Sequence, residues 1–224
     1  MITLHHLEYS QSFRVLWLLE ELGVEYQLKK YNRDAVTHLA PKAYKQISPL
    51  GTAPVITHGD LVLAETGAII DYILDLHPNN AVRPTTGSKY RSQHLFWAHT
   101  AQGSIMPLML IEGIFLIIQK RVPALLNLII RPVLTQVSQG FIKPRMDALL
   151  EQAEKQLCST DWFGGDVLTS ADILLSYPIE SAHARGYLTE NHPNTQLWLK
   201  RVYQRSAFQS AKEKDGRESM VLAL

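Results

Sequence analysis

A chain of 224 residues, 46% apolar and 19% charged, has room for two ordinary domains with real cores and the composition of a soluble globular protein. A formal charge of +1 excludes the broad basic field that holds nucleic acid, and the single cysteine, Cys158, excludes an internal disulfide framework and a CxxC or thiolate zinc motif. The histidines show no HExxH or other ligand spacing, so no metal is expected; the N-terminus lacks the layout of a signal peptide, which points to a reducing cytoplasm.

Ile2–Leu7 reads as a strand, and Ser12–Leu22 as a helix with Val15, Leu16, Leu18, Leu19 and Leu22 on one stripe and Gly23 as its stop. Val24, Tyr26 and Leu28 alternate with Glu25, Gln27 and Lys29, the pattern of a half-buried strand. His38–Ser48 is polar and irregular, with at most a short helix after Pro41. Val55–Thr57 and Leu61–Leu63 flank the turn His58-Gly59-Asp60, and Thr66–Leu76 follows as a helix directing Ile69, Ile70, Ile73 and Leu74 inward. This βαβ–ββα order predicts a thioredoxin-like domain over residues 1–77. The Pro-, Asn- and Gly-rich stretch 78–87 predicts a linker.

From residue 88 to 224 only helical periods persist, predicting an all-helical domain with helices over Tyr90–Leu110, Phe115–Leu134, Phe141–Leu157, Ser170–Ala184 and Thr195–Arg205. Thr169 and Asp172 fit a capping box, flanked by Leu168 and Ile173 as a hydrophobic staple. Ser104–Ile118 is strongly apolar, but Pro107 and Glu112 interrupt it and it falls short of the roughly 18 residues of a span, so a helix buried in the bundle is expected, with no membrane insertion. Cys158, late in its helix, is expected to be semi-buried, and the sequence leaves the tail from Ser206 undecided between a folded-back and a mobile segment.

Three local features carry chemistry. Pro54 in Thr52-Ala53-Pro54-Val55 cannot donate to a sheet ladder, which leaves backbone groups free to pair with a ligand's own peptide groups. Glu65-Thr66 sets a carboxylate and a hydroxyl at a helix N-terminus, where free N–H groups favour an anion. Together they describe a site for a small peptide carrying carboxylates. Ser10, between the first strand and the first helix, can donate to a thiolate held against that helix N-terminus. Each feature alone is equally a fold signal: Ser10 a turn residue, Ser12 the helix N-cap, Glu65-Thr66 a helix start.

The stretches Tyr9-Ser10-Gln11-Ser12-Phe13-Arg14, Val15–Leu22, Ser48–Val55, Ala64–Ile70 and Leu168–Ile173, in this order, resemble cytosolic glutathione S-transferases, and in detail a microbial serine-type subgroup. The resemblance implies a thioredoxin-like domain plus a helical bundle, assembled as a cytoplasmic homodimer with a detoxifying role. Reduced glutathione would be the co-substrate, and its thiolate would attack a small apolar electrophile. Ser10, four residues before Arg14, matches the thiolate-stabilising serine, Pro54 a cis proline, Val55 the residue whose backbone pairs with the cysteinyl unit, and Glu65 with Thr66 the pair holding the γ-glutamyl end. Thr52 stands where many relatives carry lysine, which leaves Lys42, Lys45 or His38 to meet the glycine carboxylate. Gln102 stands where an acidic residue is common. Trp97, Met106, Met109 and Phe115 could line the electrophile's pocket or belong to the core. A glutathione-dependent peroxidase and a non-catalytic binding or carrier protein are the alternative readings.

Overall fold

The central strand β1 (Ile2–Leu7) is buried on nearly every position, as a strand covered on both faces must be. In the computed structural model, which describes residues 1–48, 50–78 and 80–216, it lies inside a four-stranded sheet of order β2-β1-β3-β4. It runs parallel to β2 (Tyr26–Tyr31) and antiparallel to β3 (Val55–His58), which pairs with the edge strand β4 (Leu61–Ala64). The β3–β4 turn is the two-residue Gly59-Asp60 rather than three residues, because His58 still pairs with Leu61. Helix α1 (Ser12–Leu22) covers the sheet with Val15, Leu16, Trp17, Leu18 and Leu19, and ends at Gly23 in the left-handed conformation. After the short α2 (Lys42–Lys45), α3 (Thr66–Leu76) buries the expected Ile69, Ile70, Ile73 and Leu74. A thioredoxin-like domain thus packs on a helical one through a shared core that includes α1, Trp97 and Trp198.

The helical part departs from the sequence reading in its first half. α4 (Arg91–Thr100), a π turn at Ala101–Ile105 and α5 (Met106–Arg121) form one continuous helix. The break falls at Val122-Pro123, not between Leu110 and Phe115. Val122 is extended, the conformation favoured before proline, whereas the apolar run Leu108–Ile118 offers nothing to stop a helix. α6 (Ala124–Val137), a second π turn at Ser138–Ile142 and α7 (Lys143–Leu157) follow, then α8 (Ser170–Ala184), α9 (Pro193–Gln204) and α10 (Ser206–Asp215).

Burial of the apolar segment is confined to one side of its lower part. Leu108, Met109 and Gly113 of α5 are buried, but Leu110 and Ile114 are exposed, and α6 buries none of its residues, with Leu125 and Leu128 more than 70% exposed. By length and composition alone, Arg91–Arg121 could cross a membrane. Cys158 is exposed rather than semi-buried, since it caps α7 just past its last buried residue, Leu157.

The tail folds back as far as it is described. Phe208 of α10 packs edge-on against Phe13 and Trp17 of α1, both at 5.2 Å between ring centres. Lys214 and Ser210 each donate to Glu20 at 2.6 Å, and Arg205 pairs with Glu21. Residues 217–224 of that tail lie outside the described residues.

The capping box is formed. The buried Asp172 carboxylate accepts from Thr169 N (2.9 Å), Thr169 Oγ1 (3.0 Å), Phe163 N (2.8 Å) and Trp198 Nε1 (3.0 Å). Gly164 lies so close that a β-carbon there would stand 1.9 Å from Thr169 Oγ1. Gly164→Ala is therefore expected to displace the cap and lower the unfolding free energy by about 1–3 kcal/mol in urea titration. An unchanged midpoint would show that the loop yields freely.

Candidate functional site

The site is built at the junction of β1 and α1. Here the chain turns through Tyr9 at φ 47°, and Arg33 holds the turn by donating to the carbonyls of Glu8 (2.9 Å), Tyr9 (3.2 Å) and His38 (3.0 Å). Ser10 follows, 7% exposed. Its Oγ donates to the Leu7 carbonyl at 2.6 Å, lies 2.7 Å from Ser12 Oγ, and accepts from Ser12 N at 3.2 Å. Ser12 is not the expected N-cap: Gln11 occupies that position, and the Ser12 hydroxyl turns inward to Leu7 and His6. Leu7, whose carbonyl accepts from Ser10, packs with Val55 and Tyr44 in a small cluster bordered by Ala53 and Ala64, so one residue links the Ser10 turn to the start of β3. The Ala53–Pro54 peptide is cis, and Val55 pairs with His5 on one side and Ala64 on the other.

One helical turn beyond Ser10, Arg14 is fully buried among uncharged acceptors. It donates to the Leu174 carbonyl (2.7 Å), to Gln102 Oε1 (3.2 Å), to Thr66 Oγ1 (3.4 Å) and to Gln11 Oε1, while its Nε has no partner. Burial pulls the guanidinium down to about 9, and the Tyr177 hydroxyl opposes that shift, so Arg14 stays charged at neutral pH. A buried cation whose neighbours are all neutral leaves a positive potential for a nearby anion. The Tyr177 ring of α8 lies 5.7 Å from the guanidinium.

The start of α3 closes this hub. Thr66 Oγ1 donates to Gln11 Oε1 (3.3 Å), and Gln102 Nε2 reaches the same oxygen at 3.3 Å. Glu65 adopts φ 72°, a conformation rare outside glycine, and its exposed side chain lines a cavity of about 290 Å³ with Gly67, Ala68, His99 and Gln102. Gln102 sits in the π turn, an irregularity frequent at functional sites.

Of the residues singled out from the sequence, Ser10, Pro54, Val55, Glu65 and Thr66 gather around this junction. Lys42 and Thr52 are exposed, and no hydrogen bond to another described residue ties them to it. Trp97 and Met109 are core residues, leaving Met106 and Phe115 half-buried. Sequence reasoning missed Gln11, Arg14 and Arg33 as the elements that join the pieces. The one available signal was that Arg14 follows Ser10 by a single helical turn. Among the described residues no cluster of three or more His, Cys, Asp or Glu side chains is placed to hold a metal ion.

Two family models match the chain: the glutathione S-transferase N-terminal domain over residues 1–75 and the glutathione S-transferase C-terminal domain over 142–206. Glutathione S-transferase 3 of Schizosaccharomyces pombe is 29% identical over 215 residues, covering 96% of this chain and 88% of that protein. Glutathione S-transferase 1 of Saccharomyces cerevisiae is 29% identical over 223 residues, covering 96% and 95%. A crystal structure of a glutathione S-transferase from Actinobacillus pleuropneumoniae superposes with a TM-score of 0.77 at 31% identity, over 96% of this chain and 93% of that one.

Proposed function

The chain belongs to the glutathione S-transferase family, and from that premise we propose that Ser10 holds the thiolate of bound glutathione for attack on a small apolar electrophile. The observation that carries this reading is the convergence of the Ser10 hydroxyl, the start of β3 at cis-Pro54 and the start of α3 on one junction. Glutathione lies along that junction with its cysteinyl backbone at the Ala53–Pro54 entry to β3, since Val55 itself is paired on both sides within the sheet, and with its γ-glutamyl end at Glu65 and Thr66. Lys42 and Thr52 border the glycine end.

An unperturbed thiol ionises near pH 8.5, so about 3% is thiolate at neutral pH. A charge-assisted hydrogen bond from Ser10, worth about 1.5–3 kcal/mol, supplies most of the roughly 2.7 kcal/mol that moves the pKa down two units, and the N-terminus of α1 and the Arg14 charge favour the same anion. No covalent enzyme intermediate is needed: the gain comes from thiolate stabilisation and proximity. This assignment places the chain with the serine-type members, and serine at position 10 in place of cysteine supports it.

The electrophile sits over the helical domain beside Tyr177, whose half-buried ring faces the same hub. A second copy covers the exposed apolar side chains of α4 to α6 in a cytoplasmic homodimer.

Calorimetric titration with reduced glutathione tests the placement of the ligand. Glu65→Ala removes a hydrogen-bonding charge at the γ-glutamyl end and is expected to weaken binding about 10- to 100-fold. Equal affinity in parent and variant would overturn that placement.

A further inference from the structure

Behind Ser10 a line of hydrogen bonds runs inward to the far end of the chain. Ser10 Oγ lies 2.7 Å from Ser12 Oγ, Ser12 Oγ lies 2.9 Å from His6 Nδ1, and His6 Nε2 lies 2.6 Å from Asp215 Oδ1. All four side chains are at most 7% exposed. β1 (His6), the β1–α1 turn (Ser10), the first residue of α1 (Ser12) and α10 (Asp215) all contribute, and two of the partners are 209 positions apart in sequence. The strand end accounts for the contacts of the two serines with Leu7, but not for the continuation through His6 to Asp215.

Donor accounting orients the line once the Ser10 hydroxyl, which donates to the Leu7 carbonyl at 2.6 Å, turns its proton to Ser12 Oγ at 2.7 Å. A carboxylate only accepts, so Asp215 places a proton on His6 Nε2. In neutral His6 the other nitrogen, Nδ1, is then a bare acceptor, and Ser12 donates its hydroxyl proton to it. With that proton pinned inward, Ser12 Oγ can accept from Ser10. The Ser10 oxygen is thereby open to a proton from the other side, where the thiol of glutathione arrives.

We propose that this line is a proton relay which receives the thiol proton of glutathione; the proposal rests on the placement of the thiol at Ser10. The glutathione S–H bond breaks and its proton passes to Ser10 Oγ. The Ser10 proton moves to Ser12 Oγ, and the Ser12 proton to His6 Nδ1. Both serines end neutral, the sulfur keeps the electron pair as thiolate, and the imidazolium formed at His6 is neutralised by Asp215. After the transfer every bond in the line points outward: His6 donates to Ser12, Ser12 to Ser10, and Ser10 to the sulfur. Such a chain of aligned donors strengthens the last hydrogen bond, the one that holds the thiolate. His6, Ser12 and Asp215 are thus positioning residues for the Ser10 hydroxyl. Among the described residues the charged groups placed beside His6 are Asp215 and Lys30 of β2, its Cα partner in the parallel register, whose ammonium donates to the Lys214 carbonyl at 2.8 Å.

The relay predicts where the proton goes. Calorimetry of glutathione binding in buffers of different ionisation enthalpy counts protons released to solvent, and the ultraviolet absorbance of the thiolate counts thiolates formed. The parent protein is expected to release far less than one proton per thiolate, because the proton stays on His6. In His6→Gln the ratio is expected to approach about one, with thiolate formation shifted to higher pH. Ser12→Ala, a smaller change than emptying the His6 site, cuts the line and is expected to raise the thiol pKa by about one unit. Release of a full proton per thiolate by the parent would overturn the relay while leaving Ser10 as a thiolate holder. A thiolate that forms equally well in Ser10→Ala would instead remove the placement on which the relay rests.

Discussion

Replacing Asp172 by alanine is expected to lower the unfolding free energy by about 3–5 kcal/mol, the largest stability loss anticipated from a single side chain here. The buried carboxylate collects the backbone N–H of Phe163, the backbone N–H and hydroxyl of Thr169 and the indole N–H of Trp198. Alanine strands the two amides and the indole in the core that joins α8 to α9, and each unsatisfied donor costs about 1–3 kcal/mol. The loss appears in urea unfolding as a lowered midpoint with the slope retained. A loss below about 1 kcal/mol would mean that water enters and satisfies the stranded donors.

Ser10→Ala is expected to lower turnover at neutral pH by about 25-fold while the KM for glutathione stays within about twofold. The number follows from the thiolate fraction. Moving the thiol from about two units below its unperturbed value back to about 8.5 takes the anion from roughly three-quarters of the bound ligand to about 3% at pH 7. The sign with pH follows as well. As pH rises through the unperturbed thiol pKa, the variant's thiolate fraction climbs while the parent's is already near its limit, so the deficit narrows in alkaline solution. A deficit independent of pH would place the role of Ser10 in orientation rather than ionisation.

Much of the fold was legible because it obeys local rules. The alternation in β2, the apolar stripe of α1 with Gly23 behind it, and the capping box at Thr169 each express one physical requirement within a few residues. The break at Val122-Pro123 escaped notice because a run of apolar residues on both sides hides the period that marks helix ends. Helix α10 escaped because only Phe208, Ala211 and Asp215 of it are buried, too sparse a pattern to read as amphipathic.

The candidate site divides in the same way. Ser10, Pro54, Glu65 and Thr66 stand in short ordered motifs. Arg14 reads as an ordinary surface cation, since fully buried arginines are rare, and only the fold shows it among Gln11, Thr66 and Gln102. His6 and Asp215 are farther still from any local pattern. The partner of the glycine carboxylate was left open by the sequence, and Lys42 stays exposed and untied among the described residues.

The most direct test of the account is a spectroscopic titration of the glutathione thiol bound to the parent protein and to Ser10→Ala. Ionisation about two units below the free thiol in the parent, returning close to about 8.5 in the variant, is the predicted result. The same ionisation midpoint in both proteins would contradict the claim that Ser10 creates the thiolate.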